Sequence, residues 1–422
     1  MIAVLWMTVI LHSWVITKPA DAKWFPRFLG ASVVLVLCAG IAVPAGLVMR
    51  TAHTAYDTLA SVFGSEKEEE PHDAADPWNG QDRVNVLLLG ADSADNRYGV
   101  RTDSMMAASI DVEYGDVVLI GLPRNLENVQ FHEGSALAEA YPPPYGYDDL
   151  LNDVYQTVAE NPEEFAENPA AADPAADTFK GVVGHSTGLE IDYYAMVDMR
   201  GFEDLIDAIG GIDVHIDEPI PYGQEGDVLD AGDQHLDGNE ALWYGRSRIN
   251  SDDYARMGRQ GCLIKYVADQ ADPARVLSSF QELAGATKRT LKTDIPQTKV
   301  PAFIDLADRV NEQGEMRALQ LSPPQVNTAY PDWDEIREIV DEAVQEQEER
   351  QAEEERAQSG DDEEASPEAA PSGDAPPSPG TDPETGDDST EWQEYTGLDE
   401  PSPTTPGRQV GDDPTSLDKL CP

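Results

Sequence analysis

The sequence predicts an α/β protein of the α-β-α type, in which helices flank a mixed central sheet. Continuous apolar runs such as residues 84–89 (VNVLLL), which Gly90 stops, are typical of buried strands. Between residues 202 and 209 the apolar side chains recur at helical spacing, and two glycines follow directly. Because such strands and helices alternate along the chain, a sheet covered by helices is the architecture that buries both.

Two apolar segments begin the chain, and we interpret residues 1–50 as a membrane anchor. Residues 28–49 are uncharged and long enough for a span, which takes about 20 residues. Residues 1–16 are shorter and are the candidate for an additional span. The intervening loop carries Lys18, Lys23 and Arg27 against one aspartate, so the positive-inside rule places it in the cytoplasm and everything after Arg50 outside the cell. A cleaved signal peptide is the alternative, but residues 28–49 lack a clear small-residue cleavage site.

Residues 51–82 are predicted to be an extracytoplasmic connector, because they end in an acidic, proline-containing run that offers no core of its own. The folded domain is expected over residues 83–320. Its strands are predicted at residues 84–89, 104–112, 117–122, 193–197 and 212–216, with a turn at 113–116. Its helices are predicted at residues 150–159, 202–209, 236–244 and 256–269, with closing helices between 276 and 310.

Composition assigns the remaining segments. Residues 161–177 are rich in alanine, proline and glutamate and are predicted to be a surface excursion. Residues 321–358 are predicted to be a charged helical extension, and residues 359–422 a disordered acidic tail. Residues 332–422 hold 29 acidic and 5 basic side chains, a local net charge of −24 within a total of −53. This balance excludes general nucleic-acid binding, which selects basic faces.

The chain is acidic, yet one short stretch concentrates arginines. Residues 246–260 read RSRINSDDYARMGRQ and include Arg246, Arg248, Arg256 and Arg259. The first two alternate, so in an extended segment they point the same way; the last two are three apart and share a helical face. Guanidinium forks fit phosphate oxygens two at a time, so the stretch is a candidate pyrophosphate site. A salt-bridged, solvated helix face is the alternative.

Further polar residues lie at the predicted strand ends. Asp92 follows the first strand, Arg101 and Asp103 precede the second, and Arg124 follows the third. Two carboxylates that meet at one sheet edge could share a hard cation such as Mg²⁺ that also binds phosphate oxygens. The spacing alone is equally satisfied if both aspartates only form turns or caps.

Two cysteines outside the anchor, Cys262 and Cys421, leave two alternatives open. They form either a disulfide that closes a long loop or a pair of free thiols, and no spacing typical of a metal site is present. The sequence also lacks the P-loop, H-E-x-x-H and dinucleotide-binding motifs.

These clusters, in this order, resemble the LytR-CpsA-Psr family of membrane-anchored phosphotransferases. The resemblance covers residues 84–269 and continues more weakly to about residue 344. Its matching segments are NVLLLGADS, RTDSMM, LPRN, LNDVYQ, GLEIDYYAMVDMRGFEDLIDAIGGIDVHI, LDGNEALWYGRSR and DDYARMGRQ. One departure is Asn125, where the family commonly has aspartate after Pro-Arg, so ionic bracing of Arg124 by its neighbour is lost while an amide hydrogen bond remains available.

The resemblance implies an activity. Members move a glycopolymer from a polyprenyl-pyrophosphate carrier to a peptidoglycan hydroxyl and form a phosphodiester, so the expected partners are the lipid-linked polymer, the peptidoglycan acceptor and the membrane. A phosphatase that uses water as acceptor, and a non-catalytic protein that only binds lipid-linked glycan, are the competing hypotheses. The acidic, Ala/Asp/Glu/Pro-rich composition favours an actinobacterial source and leaves the polymer open.

The resemblance also implies roles for individual residues. Asp92 and Asp103 would hold Mg²⁺ (or Mn²⁺) at the pyrophosphate. Asp253 would orient arginines or act as the base. The residues expected to bind the pyrophosphate oxygens are Arg101, Arg124, Arg246, Arg248, Arg256, Arg259 and Gln260.

Overall fold

The computed structural model describes residues 12, 76–92, 100–223, 226–249, 251–273, 291–359 and 414–421 of the 422. Apart from residue 12, the predicted spans at 1–16 and 28–49 lie outside the described residues, as do most of the connector and most of the acidic tail. Within the described ranges, no helix is long and apolar enough to cross a membrane.

Strands and helices interleave as the sequence predicts. The described strands are β1 (Arg83–Asp92), β2 (Arg101–Asp111), β3 (Val117–Gly121), β4 (Tyr193–Asp198), β5 (Ile212–Ile216), β6 (Ile220–Tyr222), β7 (Asp227–Leu229), β8 (Gly232–Leu236), β9 (Leu291–Thr293), β10 (Met316–Gln320) and β11 (Thr415–Ser416). The described helices are α1 (Ala136–Ala140), α2 (Leu151–Glu160), α3 (Pro162–Phe165), α4 (Pro174–Thr187), α5 (Met199–Ile209), α6 (Gly238–Arg246), α7 (Asp253–Gln270), α8 (Val300–Gln313), α9 (Trp333–Ser359) and α10 (Leu417–Leu420).

Seven strands form one mixed sheet in the order β11-β10-β3-β2-β1-β4-β9. The β1–β2 and β2–β3 pairs are antiparallel, whereas β1–β4 and β3–β10 are parallel. Consequently the ends of β1, β3, β4 and β10 and the start of β2 lie at the same end of the sheet. The predicted 113–116 turn joins β2 to β3, and Gly115 adopts φ +81° there.

Helices cover both faces of this sheet, which confirms the predicted α/β architecture. One face packs Leu87, Met105 and Ile120 against α1, α2, α4 and α9. The other packs Met106 and Leu119 against α5, α6, α7 and the two-stranded sheet of β5 and β8. Strands buried on both faces need continuous apolar sequence, and VNVLLL supplies it.

Three segments differ from the sequence predictions. The supposed surface excursion at 161–177 contains α3 and the first turn of α4, where Ala175 and Ala176 are buried. Asp173 accepts a hydrogen bond of 3.1 Å from the Ala176 amide, so an N-cap followed by proline starts α4 within a composition that suggested a loop.

The helix predicted within residues 321–358 exists as α9, but its first half is part of the core rather than an extension. Trp333, Ile336, Val340 and Ala343 are buried against the sheet at three- and four-residue intervals. The high charge of the remaining positions concealed this narrow apolar stripe.

The end of the predicted disordered tail is folded. Residues 415–416 add β11 to the sheet edge, and Leu417 is fully buried. Cys262 of α7 and Cys421 form a disulfide with their Cα atoms 5.5 Å apart, the first of the two alternatives that the sequence left open. The covalent bond and the pairing with β10 order a segment whose composition alone does not predict structure.

Candidate functional site

The predicted site residues converge at the sheet end where β1 finishes and β2 starts. Asp92 pairs with Arg101 in the antiparallel register, which places these two residues side by side. The register pairs Gly90 with Ser104 and Ala91 with Thr102, so Asp103 is the extra residue of a β-bulge. Bulges redirect side chains at such positions. Gly90 is required there, because a Cβ would lie 2.9 Å from that of Ser104.

Asp103 is bound from three directions. Its Oδ1 accepts hydrogen bonds of 2.8 Å from Arg124 Nη1 and of 3.1 Å from Asn152 Nδ2. Its carbonyl oxygen accepts a hydrogen bond of 2.9 Å from Arg256 Nη1. The bulged residue is therefore hydrogen-bonded to three other parts of the chain: the segment after β3, α2 and α7.

Asp253, the first residue of α7, gathers three arginines. Arg256 donates to both of its oxygens, from Nε at 3.1 Å and from Nη2 at 3.0 Å. Arg124 Nε lies 3.4 Å from Oδ2, and Arg248 Nη1 lies 3.5 Å from Oδ1. Both oxygens of Asp253 thus face guanidinium groups, a position that suits a residue that orients arginines.

Helices from both faces of the sheet direct their N-termini to this cluster. Asn152 and Asp153 lie in the first turn of α2, and Asp253 and Arg256 lie in the first turn of α7. Asp252 caps α7 by accepting a hydrogen bond of 2.7 Å from the Ala255 amide. The partial positive charge of two helix N-termini adds to that of the arginines.

Three arginines present guanidinium groups to solvent at the rim of the cluster. Arg101, Arg246 and Arg248 are between 43% and 51% exposed. Arg101 Nε pairs with Asp153 Oδ1 at 2.9 Å, and Arg246 Nη2 lies 3.9 Å from Asp92 Oδ2. A carboxylate beside each side chain limits its conformations without covering it, which suits a group that must bind an anionic ligand.

Arg256 and Arg259 differ from the other arginines because both are 4% exposed. Arg259 donates to the carbonyl oxygens of Tyr244, at 2.7 Å, and Ser247, and so satisfies the C-terminal turn of α6. The structure thus does not bring Arg259 together with the rim arginines, contrary to the expectation from its helical spacing. Arg256 lies inside the cluster, where it bonds the Asp253 carboxylate and the Asp103 carbonyl oxygen.

Gln260 likewise connects protein elements. Its Oε1 accepts a hydrogen bond of 3.0 Å from Ser104 Oγ, and its Nε2 donates one of 3.1 Å to the Gly245 carbonyl oxygen. It thereby joins β2, α6 and α7 beneath the cluster. Both ends of the amide are used within the protein.

The charges of the cluster stabilise one another. Burial alone would raise the pKa of Asp103, but the hydrogen bond and charge of Arg124, the Asn152 bond and the Arg256 charge hold that pKa below its usual value. Burial alone would lower the pKa of Arg124, and Asp103 and Asp253 raise it instead. For Arg248, burial and the like charge of Arg124 lower the pKa. An anion bound beside Arg248 would therefore favour its charged form.

Sequence reasoning assigned no role to Asn152, Asp153 or Trp243, which the structure brings into this cluster. Asn152 bonds Asp103, Asp153 pairs with Arg101, and the Trp243 ring lies 5.4 Å from the Arg246 guanidinium carbon. The only available signal was the presence of their segments, LNDVYQ and NEALWYGRSR, among those that carried the resemblance. Burial raises the pKa of Asp153, although Arg101 opposes it.

A metal ion at this site would need ligands in addition to Asp92 and Asp103. Across the described ranges, no group of three or more His, Cys, Asp or Glu side chains could hold a metal ion. Asp92 is buried, and Asp103 uses Oδ1 for Arg124 and Asn152. Mg²⁺ commonly binds one or two carboxylates and completes its octahedron with water and substrate phosphate. The two aspartates fit a cation of that kind, and do not form an all-protein cage.

Comparison with known proteins identifies the family of the chain. The chain is 24% identical over 256 residues to the polyisoprenyl-teichoic acid–peptidoglycan teichoic acid transferase TagU of Bacillus anthracis, covering 58% of this chain and 74% of that protein. It is 26% identical over 278 residues to TagU of Enterococcus faecalis, covering 65% and 79%. The crystal structure of B. subtilis TagV is similar with a TM-score of 0.44 and 21% identity, covering 62% and 96%. The model of the LytR_cpsA_psr family matches residues 47–352, and the chain belongs to that family.

Proposed function

We propose that the protein is a membrane-anchored phosphotransferase. It moves a glycopolymer from a polyprenyl-pyrophosphate carrier to a peptidoglycan hydroxyl and forms a phosphodiester bond. Relatives named as teichoic acid transferases support the class of reaction. The polymer of this chain is a separate question, because relatives at 24–26% identity do not fix the substrate.

The observation that carries the proposal is the convergence of three arginines on Asp253, next to the bulged Asp103. Phosphoryl transfer requires positioning and charge neutralisation more than covalent participation of the protein. Arginines held by carboxylates are already oriented before substrate arrives, so less conformational entropy is lost on binding. A preorganised cluster of this kind suits a ligand with two linked phosphates.

The residues divide into those that would contact substrate and those that would hold them. Arg101, Arg124, Arg246 and Arg248 would bind the pyrophosphate oxygens. Asp253 and Arg256 would keep Arg124 and Arg248 in place. As the carrier phosphate departs, negative charge grows on the leaving oxygen, and the rim guanidinium groups stabilise it.

Mg²⁺ or Mn²⁺ would be held by Asp92 and Asp103. Such an ion would neutralise charge on the pyrophosphate and polarise the bond to the transferred phosphorus. The lowered pKa of Asp103 keeps this carboxyl ionised and available as a ligand.

The proposed location is the cell membrane, with the folded domain on its extracytoplasmic side. The apolar segment 28–49 and the basic loop before it support this orientation. The Cys262–Cys421 disulfide supports it independently, because disulfides persist mainly in oxidising compartments. An anchor would also raise the effective concentration of a donor carried in the same membrane.

A reconstitution tests the proposal. The full chain in detergent or vesicles is given a polyprenyl-pyrophosphate-linked glycan, Mg²⁺ and peptidoglycan, and glycan attached to peptidoglycan is measured. Asp103→Asn keeps the shape of the side chain and removes its charge, so transfer should fall by about 100-fold or more. Asp269→Asn changes an exposed carboxylate that pairs with Lys265 at the far end of α7; it is the matched control and should transfer as wild type does.

Equal transfer by wild type and Asp103→Asn would overturn the catalytic assignment. Release of phosphate without any attached glycan, in the presence of peptidoglycan, would instead identify water as the acceptor and the protein as a phosphatase.

A further inference from the structure

Two tyrosines are far more exposed than any other large hydrophobic residue in the part of the chain that the structure describes. Tyr145 is 80% exposed and Tyr330 is 79% exposed, whereas the next two, Val228 and Ile249, are 46% exposed. Tyr145 lies in the loop before α2, and Tyr330 lies in the loop between β10 and α9. Both loops lie at the end of the sheet that carries the candidate site.

Asn128 joins these two loops. Its Nδ2 donates a hydrogen bond of 2.8 Å to the carbonyl oxygen of Ala329, the residue before Tyr330. On the other side, Gly146, the residue after Tyr145, packs so closely on the 128–130 backbone that a Cβ would lie 2.8 Å from the Asn128 carbonyl oxygen. The loops that carry the two exposed tyrosines therefore both contact Asn128.

The backbone beneath the rings is held firmly. Asn128 adopts φ +54°, a left-handed conformation that asparagine tolerates better than most residues. Its carbonyl oxygen accepts hydrogen bonds of 3.0 Å from Gln130 Nε2 and from Trp333 Nε1. The Tyr330 amide donates to Asn327 Oδ1 at 3.2 Å. Aromatic side chains on a fixed backbone lose little conformational entropy when they bind a ligand.

The loop of Tyr330 contacts the candidate site, the cluster around Asp103 and Asp253, through Thr328. Thr328 Oγ1 accepts a hydrogen bond of 3.3 Å from Asn125 Nδ2 and lies 3.5 Å from Tyr254 Oη. Asn125 and Tyr254 directly follow Arg124 and Asp253 in the chain. Thr328 thus links its loop to the segment that carries Arg124 and to α7, which carries Asp253. Tyr330 lies two residues further along that loop.

The charge around the tyrosines selects the ligand. Residues 125–149 and 322–332 contain no lysine or arginine. They contain exposed carboxylates in the same segments as the two tyrosines, among them Glu127, Asp148, Asp149 and Asp332. A polyanionic chain would be repelled from this surface, whereas an uncharged sugar would not be.

We propose that Tyr145 and Tyr330 form a platform for the acceptor glycan, a chain of uncharged pyranose rings that presents its hydroxyl to the neighbouring cluster. The C–H-rich face of a pyranose packs on an aromatic ring, and the Tyr hydroxyl remains free to bond a sugar hydroxyl. This inference rests on the proposed function for the identity of the hydroxyl acceptor. The platform itself is a binding site that is measurable without transfer.

The test uses the full chain and two assays. Binding to insoluble peptidoglycan stripped of attached polymer is measured by sedimentation, and transfer is measured at varied acceptor concentration. Each single variant, Tyr145→Ala or Tyr330→Ala, should weaken peptidoglycan binding by about 3- to 10-fold. The double variant should raise the acceptor KM by a similar or larger factor while kcat and donor hydrolysis stay within about two-fold.

Three controls separate stacking from other effects. Tyr330→Trp should retain binding, because it keeps an aromatic face. Val228→Ala removes another exposed hydrophobic side chain, in β7, and should change nothing. Thermal unfolding of every variant should match wild type, since these side chains contact solvent rather than core.

Three outcomes decide the inference. Wild-type peptidoglycan binding by the double variant would overturn the platform. So would a loss that falls on lipid-linked donor polymer while peptidoglycan binding persists. If wild type transfers nothing but binds peptidoglycan through both tyrosines, the platform stands and the proposed transfer reaction fails.

Discussion

The Arg259 guanidinium donates a hydrogen bond of 2.7 Å to the carbonyl oxygen of Tyr244, at the end of α6. The same side chain also bonds the Ser247 carbonyl oxygen, which directly precedes Arg248. Arg259 is therefore a structural residue that fixes the backbone from which Arg246 and Arg248 project. Four arginines that look alike in sequence divide into two at the rim and two inside the protein.

This division predicts separable effects. Arg248→Ala should weaken binding of inorganic pyrophosphate by about 10- to 100-fold, because it removes a charged hydrogen-bond donor to the ligand. Its melting temperature should stay close to that of wild type, since a half-exposed ion pair contributes about 0–1 kcal/mol. Calorimetric titration and thermal unfolding measure the two quantities.

Arg259→Lys should show the reverse pattern. An ammonium cannot reproduce the fork that bonds both carbonyl oxygens, so the free energy of unfolding should fall by about 1–3 kcal/mol. Pyrophosphate affinity, measured at a temperature where the variant is folded, should change less than for Arg248→Ala. A larger loss of affinity in Arg259→Lys, with unchanged stability, would return Arg259 to the ligand-binding set.

Asn152 is expected to act by positioning Asp103. Its Nδ2 bonds that carboxylate, and its buried Oδ1 has no hydrogen-bond partner among the described residues. Asn152→Ala removes a bond that favours the ionised form, so the acid limb of the pH–rate profile should move to higher pH and kcat should fall by about 10-fold.

Asn152→Asp sharpens this test. A second carboxyl group beside Asp103 disfavours the charged form, so the acid limb should move further than in Asn152→Ala although the side-chain volume is kept. Unchanged limbs in both variants would show that Asn152 has no part in setting the charge of Asp103.

Acid unfolding should report the ion pairs of the site. The folded-state pKa of Asp103 lies below its ordinary value of 3.8, so the folded protein binds this proton less readily than the unfolded chain does. The resulting stabilisation is present above that ordinary value and is lost as the pH falls through the folded pKa. Asp103→Asn should therefore lose less stability than wild type between about pH 5 and pH 2, as measured by denaturant unfolding at a series of pH values.

Asp153→Asn provides the control of opposite sign. Burial raises the pKa of Asp153 despite the charge of Arg101, so its contribution favours the folded state at low pH and is lost as the pH rises. As the pH falls, the free energy of unfolding of Asp153→Asn should therefore decrease more steeply than that of wild type. Parallel behaviour of the two variants would contradict the assigned directions.

The disulfide should stabilise the sheet edge. Cys421→Ala should lower the free energy of unfolding by about 2–5 kcal/mol, because the bond closes a long loop and holds β11 and Leu417 in place. Cys262→Ala and the double variant should show the same decrease, and reductant should affect wild type only. An additional decrease in the double variant would mean that packing of the individual thiols, rather than the bond, accounts for the effect.

Much of the fold was predictable because local patterns agree with it. Residues 84–89 are apolar at every position except Asn85, and a short run of this kind that a glycine ends is typical of a strand buried on both faces. The spacing of apolar residues in α5 and the glycines after it fixed that helix and its end. Strands β9 and β10 were missed because each is short and its sequence carries no marked alternation.

The sequence, through its family resemblance, predicted that the strand-end aspartates and arginines and the arginine-rich stretch form one site, and most of these residues do meet at one end of the sheet. It could not determine which arginines face solvent. Helical spacing puts Arg256 and Arg259 on one side of α7, but the depth of burial depends on what packs there, and β2 and the end of α6 cover that side. Likewise the bulge at Asp103, the bond from Asn152 and the rigid placement of Tyr145 and Tyr330 follow from contacts between distant segments. Those contacts form only when the sheet assembles, because register and packing, unlike periodicity, are properties of the pair of elements rather than of either sequence.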